Sequence, residues 1–349
     1  MFKISRSLRT LALWTAALVL VGTAEGKAES SIPVKVGTTD LSSDIGLFIA
    51  SKRGYFRDEG LSVELIHFDS GAKMIAPLGS GDLDVGAGAI SAGLFNAVNR
   101  GLKIKVVADK GTNTAEYSYK ALMVRTDLID GGKFKSLADL KGKKVAIVAK
   151  GAADESVINQ GLLKAGLADT DIERVFLPFS QHLNAFLNKA IDASISSEPS
   201  ISIMTKQKAA VRFSGLDAFY PVQQTAVLLM NGRFFSDKQT AAKFVKAYLR
   251  GVRDYVATLS GGKVAGPGAE QMVGLLSEMT GIRDLSLLKD SVPTFINPDG
   301  NLTMDSIRTD YEYFRARKLV AEDIDLNEIV DTSLVKQAVS SLGGMQKSR

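Results

Sequence analysis

Between Val34 and Leu65 the hydrophobic period changes twice, and this narrows the possible folds more than any other stretch. Val34-Lys35-Val36-Gly37-Thr38-Thr39 reads as a short strand. Ile45, Phe48 and Ile49 then recur at i, i+3 and i+4, the apolar stripe of a helix. Gly54 supplies the left-handed residue that commonly ends a helix. Leu61-Ser62-Val63-Glu64-Leu65 alternates again, as a strand does. The loop from Thr38 to Asp44 leaves the carboxyl end of the first strand, the edge at which open α/β sheets hold ligands.

The alternation continues. Strands are expected at 83–89 and 104–108, with helices opening at Ser70-Gly71 and Ser91. Gly111-Thr112-Asn113-Thr114 breaks the pattern and suggests a crossover. A second α/β run follows, with strands at 119–124, 144–149, 175–178 and 193–196, the last ended by Glu198-Pro199. A second crossover near Pro221 to Thr225 leads into Ala226-Val227-Leu228-Leu229-Met230. From Ser236 onward the pattern is helical, and 260–268 is expected as a surface loop. Two crossings imply two α/β lobes, 33–113 with 224–342 and 118–221, around a cleft that a hinge can close. The tail after Leu342 is expected to be unstructured.

At the N-terminus Lys3, Arg6 and Arg9 precede an apolar run, Leu11 to Val21, followed by small residues. The run is short for a membrane span and has the layout of a secretory signal peptide, here residues 1–28, cleaved after Ala24 or Ala28. The mature chain is expected in the periplasm. Net charge is +5, but the positive charges are scattered, without a basic run interleaved with aromatics, so nucleic acid is not expected as a partner. The chain has no cysteine and two histidines, His67 and His182. A disulfide and a Cys nucleophile are excluded, and neither a zinc site nor any other metal is expected. No phosphate loop, paired catalytic group or cofactor motif is present, so no cofactor and no enzyme activity are expected.

Several motifs in order carry a resemblance. Gly54-Tyr55-Phe56 with Glu59-Gly60-Leu61 and Val63 is followed by Leu78-x-Ser80-Gly81-x-Leu83-Asp84-x-Gly86. Ser136-Leu137-Ala138-Asp139-Leu140-Lys141-Gly142-Lys143-Lys144-Val145 and Ile191-Asp192-Ala193 before Glu198-Pro199 come later. Over residues 32–260 the chain resembles the substrate-binding proteins of ABC importers, in the nitrate/sulfonate/taurine-type and thiamine-pyrimidine-type binding family. The resemblance implies the bilobal periplasmic-binding-protein fold (type II), a monomer, a small-molecule solute and an inner-membrane ABC permease as partner. It implies capture of a small anionic or zwitterionic solute of the sulfonate, taurine, nitrate or aromatic carboxylate class. The alternatives are a thiamine-pyrimidine precursor binding protein and a periplasmic ligand sensor.

Binding groups are expected at the strand ends that face the cleft. In the first lobe these are Thr38, Thr39, Asp40, Ser70, Gly71, Gly88, Ala89 and Ser91; in the second, Gly151, Ala152, Ser180 and Glu198. Ser70 and Ser91 precede helices, where free N–H groups can hold an anion; the same geometry suits a plain helix cap. Lys150 could pair with an anion or be a solvated surface lysine, and Phe179 could lie against an apolar part of the solute. Lys110, Thr112 and Asn113 are placed near the hinge. His67 shares a face with Leu61, Val63 and Leu65, which favours a structural role.

Overall fold

A computed structural model describes residues 31–321 and 323–345; the expected signal peptide and the last residues of the expected unstructured tail lie outside them. The first sheet contains β1 (Ile32–Thr38), β2 (Leu61–His67), β3 (Val85–Gly88), β4 (Ile104–Asn113) and β10 (Gln223–Asn231). Its order is β2-β1-β3-β10-β4, parallel except for β10. The second contains β5 (Lys120–Arg125), β6 (Lys144–Ile147), β7 (Glu173–Phe176), β8 (Ala193–Ser197) and β9 (Ala210–Gly215), in the order β7-β6-β8-β5-β9. β6 runs parallel to β7 and β8, and β5 antiparallel to β8 and β9. Each sheet thus has three parallel strands at one edge and one reversed strand between its third and last members. The reversed strand is where the chain enters from the other sheet.

The first sheet is covered on one face by the helices Ile45–Lys52 and Lys238–Val256. The long helix buries Ala241, Phe244, Val245, Tyr248, Leu249, Val252 and Tyr255, and Phe244 stacks on Phe56 with ring centroids 5.0 Å apart. The two helices cross closely because glycine faces glycine. A Cβ on Gly251 would sit 2.2 Å from the Gly46 carbonyl oxygen, and one on Gly46 would sit 2.7 Å from Val252 Cγ2. Gly54 takes φ +76° at the end of the first helix, as its position requires. On the other face, the helices Ala92–Asn99 and Met304–Ala316 pack Phe95 against Tyr311 and Phe314.

Three details differ from the sequence expectation. β4 does not stop at Ala108 but runs through Gly111 to Asn113, its ladder to β10 bent by register shifts. The helix Ser200–Lys206 and strand β9 follow Pro199, where the sequence pattern gave no element. Within the expected loop 260–268, Leu259–Ser260 and Lys263–Val264 pair as a short antiparallel hairpin.

Candidate functional site

The carboxyl ends of the parallel strands of both sheets face one cavity of about 480 Å³. It is a size usual for small-molecule sites. The first sheet contributes the loops after β1, β2 and β3, and the second those after β6, β7 and β8.

Of the expected site residues, Thr39, Asp40, Ser70, Gly71, Gly88, Ala89, Ser91, Ala152 and Ser180 line this cavity. Thr38 does not; it is buried beneath the loop, and its hydroxyl donates to Asp40 at 3.0 Å. Gly151 also stays out of the lining. Its φ is +74°, its N–H is held by Glu155, and its carbonyl accepts from the Ala92 N–H at 2.9 Å. Glu198 is buried on a different side, where its carboxylate accepts from the Ser202 N–H at 3.1 Å. Burial raises its pKa above the ordinary carboxylate range. Sequence position alone could not say to which side of the strand end Glu198 turns.

Phe179 and Lys110 line the cavity, whereas Lys150 is exposed and outside the lining. Thr112 and Asn113 brace the crossing. The Thr112 hydroxyl donates to Asp109 at 3.1 Å, and Asn113 bonds the Ser118 hydroxyl at 3.2 Å and the Lys120 N–H at 3.2 Å. His67 opens to the cavity rather than packing with its strand's apolar face, and its Nδ1 lies 2.7 Å from Asp40. His182 is the structural histidine. It is fully buried, with Nδ1 2.7 Å from the Ser196 hydroxyl and Nε2 3.0 Å from the Leu177 carbonyl. Burial pushes it down to about 4.

Two buried ion pairs form the floor, and of these Asp44 and Lys120 were not anticipated. Lys110 Nζ lies 2.5 Å from Asp44, and Lys120 pairs with Asp154; all four side chains are at least nine-tenths buried. Both lysines sit where the chain passes between the sheets, Lys110 in the polar run 109–113 that ends β4 and Lys120 at the start of the apolar β5. A lysine opening an otherwise apolar strand is the sequence signal that marks Lys120. Between them the Tyr119 hydroxyl bonds Thr225, which donates to the Gly111 carbonyl at 2.7 Å, so the two crossing segments are tied together. The second sheet's side adds an apolar wall of Phe179, Leu183, Ile203 and Met204.

The helix starts are more occupied than expected. The Ser91 hydroxyl accepts from the Leu94 N–H at 3.2 Å, a plain cap, and the next N–H, of Ala92, is taken by Gly151. The segment after Ser70 is a short 3-10 turn, Gly71–Met74, before the helix Ile75–Ser80. Gly71 and Gly88 pack back to back: a Cβ on Gly71 would lie 2.9 Å from the Gly88 Cα. Among the described residues no group of three or more His, Asp or Glu side chains is placed to hold a metal ion. What this geometry can do is enclose a small molecule between two lobes, with polar groups on one wall and apolar groups on the other.

Known proteins resemble the chain in the same terms. A Brucella abortus (strain 2308) protein named as a binding protein is 29% identical over 216 residues, 62% of this chain. The match spans only 59% of that relative's length. An Escherichia coli (strain K12) protein named as an aliphatic sulfonates-binding protein is 26% identical over 330 residues, 93% of this chain and 96% of its own. The periplasmic nitrate-binding protein of Synechocystis PCC 6803 superposes with a TM-score of 0.74 at 13% identity, covering 90% of this chain and 89% of its own. The architecture is therefore the two-lobed periplasmic-binding-protein fold. The family model described as NMT1/THI5 like matches residues 42–258, more than half of the sequence, and the chain belongs to that family.

Proposed function

We propose that this protein is the soluble solute-binding component of an ABC importer. It captures a small organic solute between its lobes and passes it to an inner-membrane permease, without changing it chemically. The lobes are 33–113 with 224–342 and 118–221; residues 1–28 are the export signal, and the mature protein works as a periplasmic monomer. The observation that carries this is a cavity lined from both sheets and bridged at its edge by the Ala92–Gly151 hydrogen bond. Such a cavity gains its second wall when the lobes come together.

The solute is larger than nitrate. A cavity of about 480 Å³ would leave a four-atom ion mostly unfilled, whereas an aryl or alkyl body would fill it against Phe179, Leu183 and Met204. Within the expected span of sulfonate, taurine, nitrate and aromatic carboxylate, organic solutes with a polar head fit best. Turnover is disfavoured by the polar groups present. His182 and Ser196 form the nearest Ser–His pair, and both are fully buried outside the cavity lining. A thermal-shift screen over organic sulfonates, carboxylates, amides, amino acids and pyrimidines tests the proposal. A solute of one class should raise the melting temperature and be recovered unchanged. A melting temperature indifferent to every class, or a chemically altered solute, would contradict it.

A further inference from the structure

Resting on the receptor function proposed above, we propose that the solute held in this cavity carries no net negative charge. It would be an uncharged amphipath with a carbonyl, amide or heterocyclic head, or a zwitterion. The names of the relatives point to inorganic and organic anions; the charges in this cavity do not.

The balance of charge comes first. No arginine lines the cavity, and its two ammonium groups, Lys110 and Lys120, face three lining carboxylates, Asp40, Asp69 and Asp154. Each lysine already has its own buried counter-charge. An oxyanion entering beside these pairs would give up its hydration and meet no unneutralised cation. At the start of the helix Ala92–Asn99, where N–H groups could stand in for a cation, two are already engaged. The Ala92 N–H is bonded across the cavity and the Leu94 N–H is bonded to Ser91.

The hydrogen-bond balance points to what does fit. Lys110 and Lys120 each donate to one carboxylate oxygen and have no second acceptor among the described residues. An ammonium has three donors, so each keeps N–H groups for a neutral acceptor. A carbonyl or ring nitrogen satisfies them without adding charge. A zwitterion does the same if its cationic end meets Asp40 and Asp69, which lie half-exposed on the first lobe's side beside His67 and Lys73, their present partners. The apolar body then lies against Phe179, Leu183 and Met204.

The test is a matched set of probes in which only the head changes: benzamide, benzoate and benzenesulfonate, then hexanamide, 6-aminohexanoate, hexanoate and hexanesulfonate. Binding is measured by calorimetry and thermal shift on the mature protein and on Asp154→Asn. One oxygen of Asp154 has no hydrogen-bond partner, so the amide removes the counter-charge of Lys120 with little change of shape. Amides or the zwitterion should bind the parent about tenfold or more tighter than the matched anions. In Asp154→Asn the anions should gain about tenfold on their neutral partners. Anions binding the parent as tightly as the amides would overturn the charge inference and leave the receptor function standing. An unchanged ratio in a folded Asp154→Asn protein would equally overturn it. If that variant does not fold, the comparison in the parent decides. Silence from every probe in a folded parent would overturn the receptor function, and the charge inference with it.

Discussion

The backbone N–H of Ala92 donates to the carbonyl of Gly151 at 2.9 Å, and the two residues stand on opposite walls of the cavity. Ser91 and Ala152 extend the contact as an isolated antiparallel bridge. A helix start in the first lobe and a left-handed glycine in the second thus meet edge to edge.

Ala92→Pro isolates this contact. Ala92 is the first residue of its helix, where proline is well tolerated, and Ser91 is extended at φ −155°, ψ 155°, as a residue before proline prefers. The variant should keep its melting temperature within the effect of about 1 kcal/mol while losing the inter-lobe bond. Small-angle scattering should then show a larger radius of gyration. Unchanged dimensions would mean that the contact does not hold the lobes together.

Gly88, at the cleft-facing end of β3, invites valine as a cleft-filling substitution. The structure predicts otherwise. A Cβ at Gly88 already presses Leu229 Cδ1 at 3.2 Å, and Gly71 lies directly behind. Gly71→Ala is the sharper probe, since its methyl would lie 2.9 Å from the Gly88 Cα. It should destabilise the protein by about 1–3 kcal/mol in chemical denaturation. A neutral effect would show that the loop after β2 is free to shift.

These glycines show what was legible in the sequence. The strand–helix period fixed the order of elements around Gly88 and Ser91, because backbone periodicity is local. Which atoms of those loops would already be engaged was not local. The Ala92 partner lies 59 residues away, and Lys110 and Lys120 meet Asp44 and Asp154 only once the lobes are assembled. β9 and the Ser200–Lys206 helix were missed for a related reason. Residues 200–215 mix polar and apolar side chains without a clean period, and β9 is an edge strand that is only half-buried.

Lys120→Met should cost about 3–5 kcal/mol, because it leaves the Asp154 carboxylate buried without its partner. Lys120→Met combined with Asp154→Leu should recover most of that loss. Equilibrium denaturation of the two variants checks this. A double variant no more stable than the single one would show that the loss comes from packing rather than from stranded charge.

Stability should fall as pH rises from acid toward neutrality because of Asp310. It is fully buried and faces Ser156, Tyr220 and Gln223, and the charge of Lys120 only partly offsets its burial. The Tyr220 hydroxyl donates to it at 3.0 Å. Burial pushes its carboxyl up to about 7 from 3.8. Since the folded value lies above the unfolded one, the contribution is complete in acid and is lost as pH rises from about 4 to about 7, a change on the order of 4 kcal/mol. Asp109, pushed up to about 6 by burial, acts in the same direction. His182 acts in the opposite one: its stability is present above its ordinary value and is lost as pH falls toward about 4. Asp310→Asn should therefore flatten the decline in melting temperature between about pH 5 and pH 7.5. Parallel profiles for parent and variant would contradict the assignment.

The central claim is that a solute is held between two lobes that close on it. The chain has no cysteine, so Glu64→Cys on β2 and Glu173→Cys on β7, both exposed, place one spin label on each lobe without other changes. Pulsed electron-resonance distances are then measured without solute and with the compound giving the largest thermal shift. The account predicts that the solute narrows the distribution and moves it to shorter distance. A distribution that the bound solute leaves unchanged would contradict it.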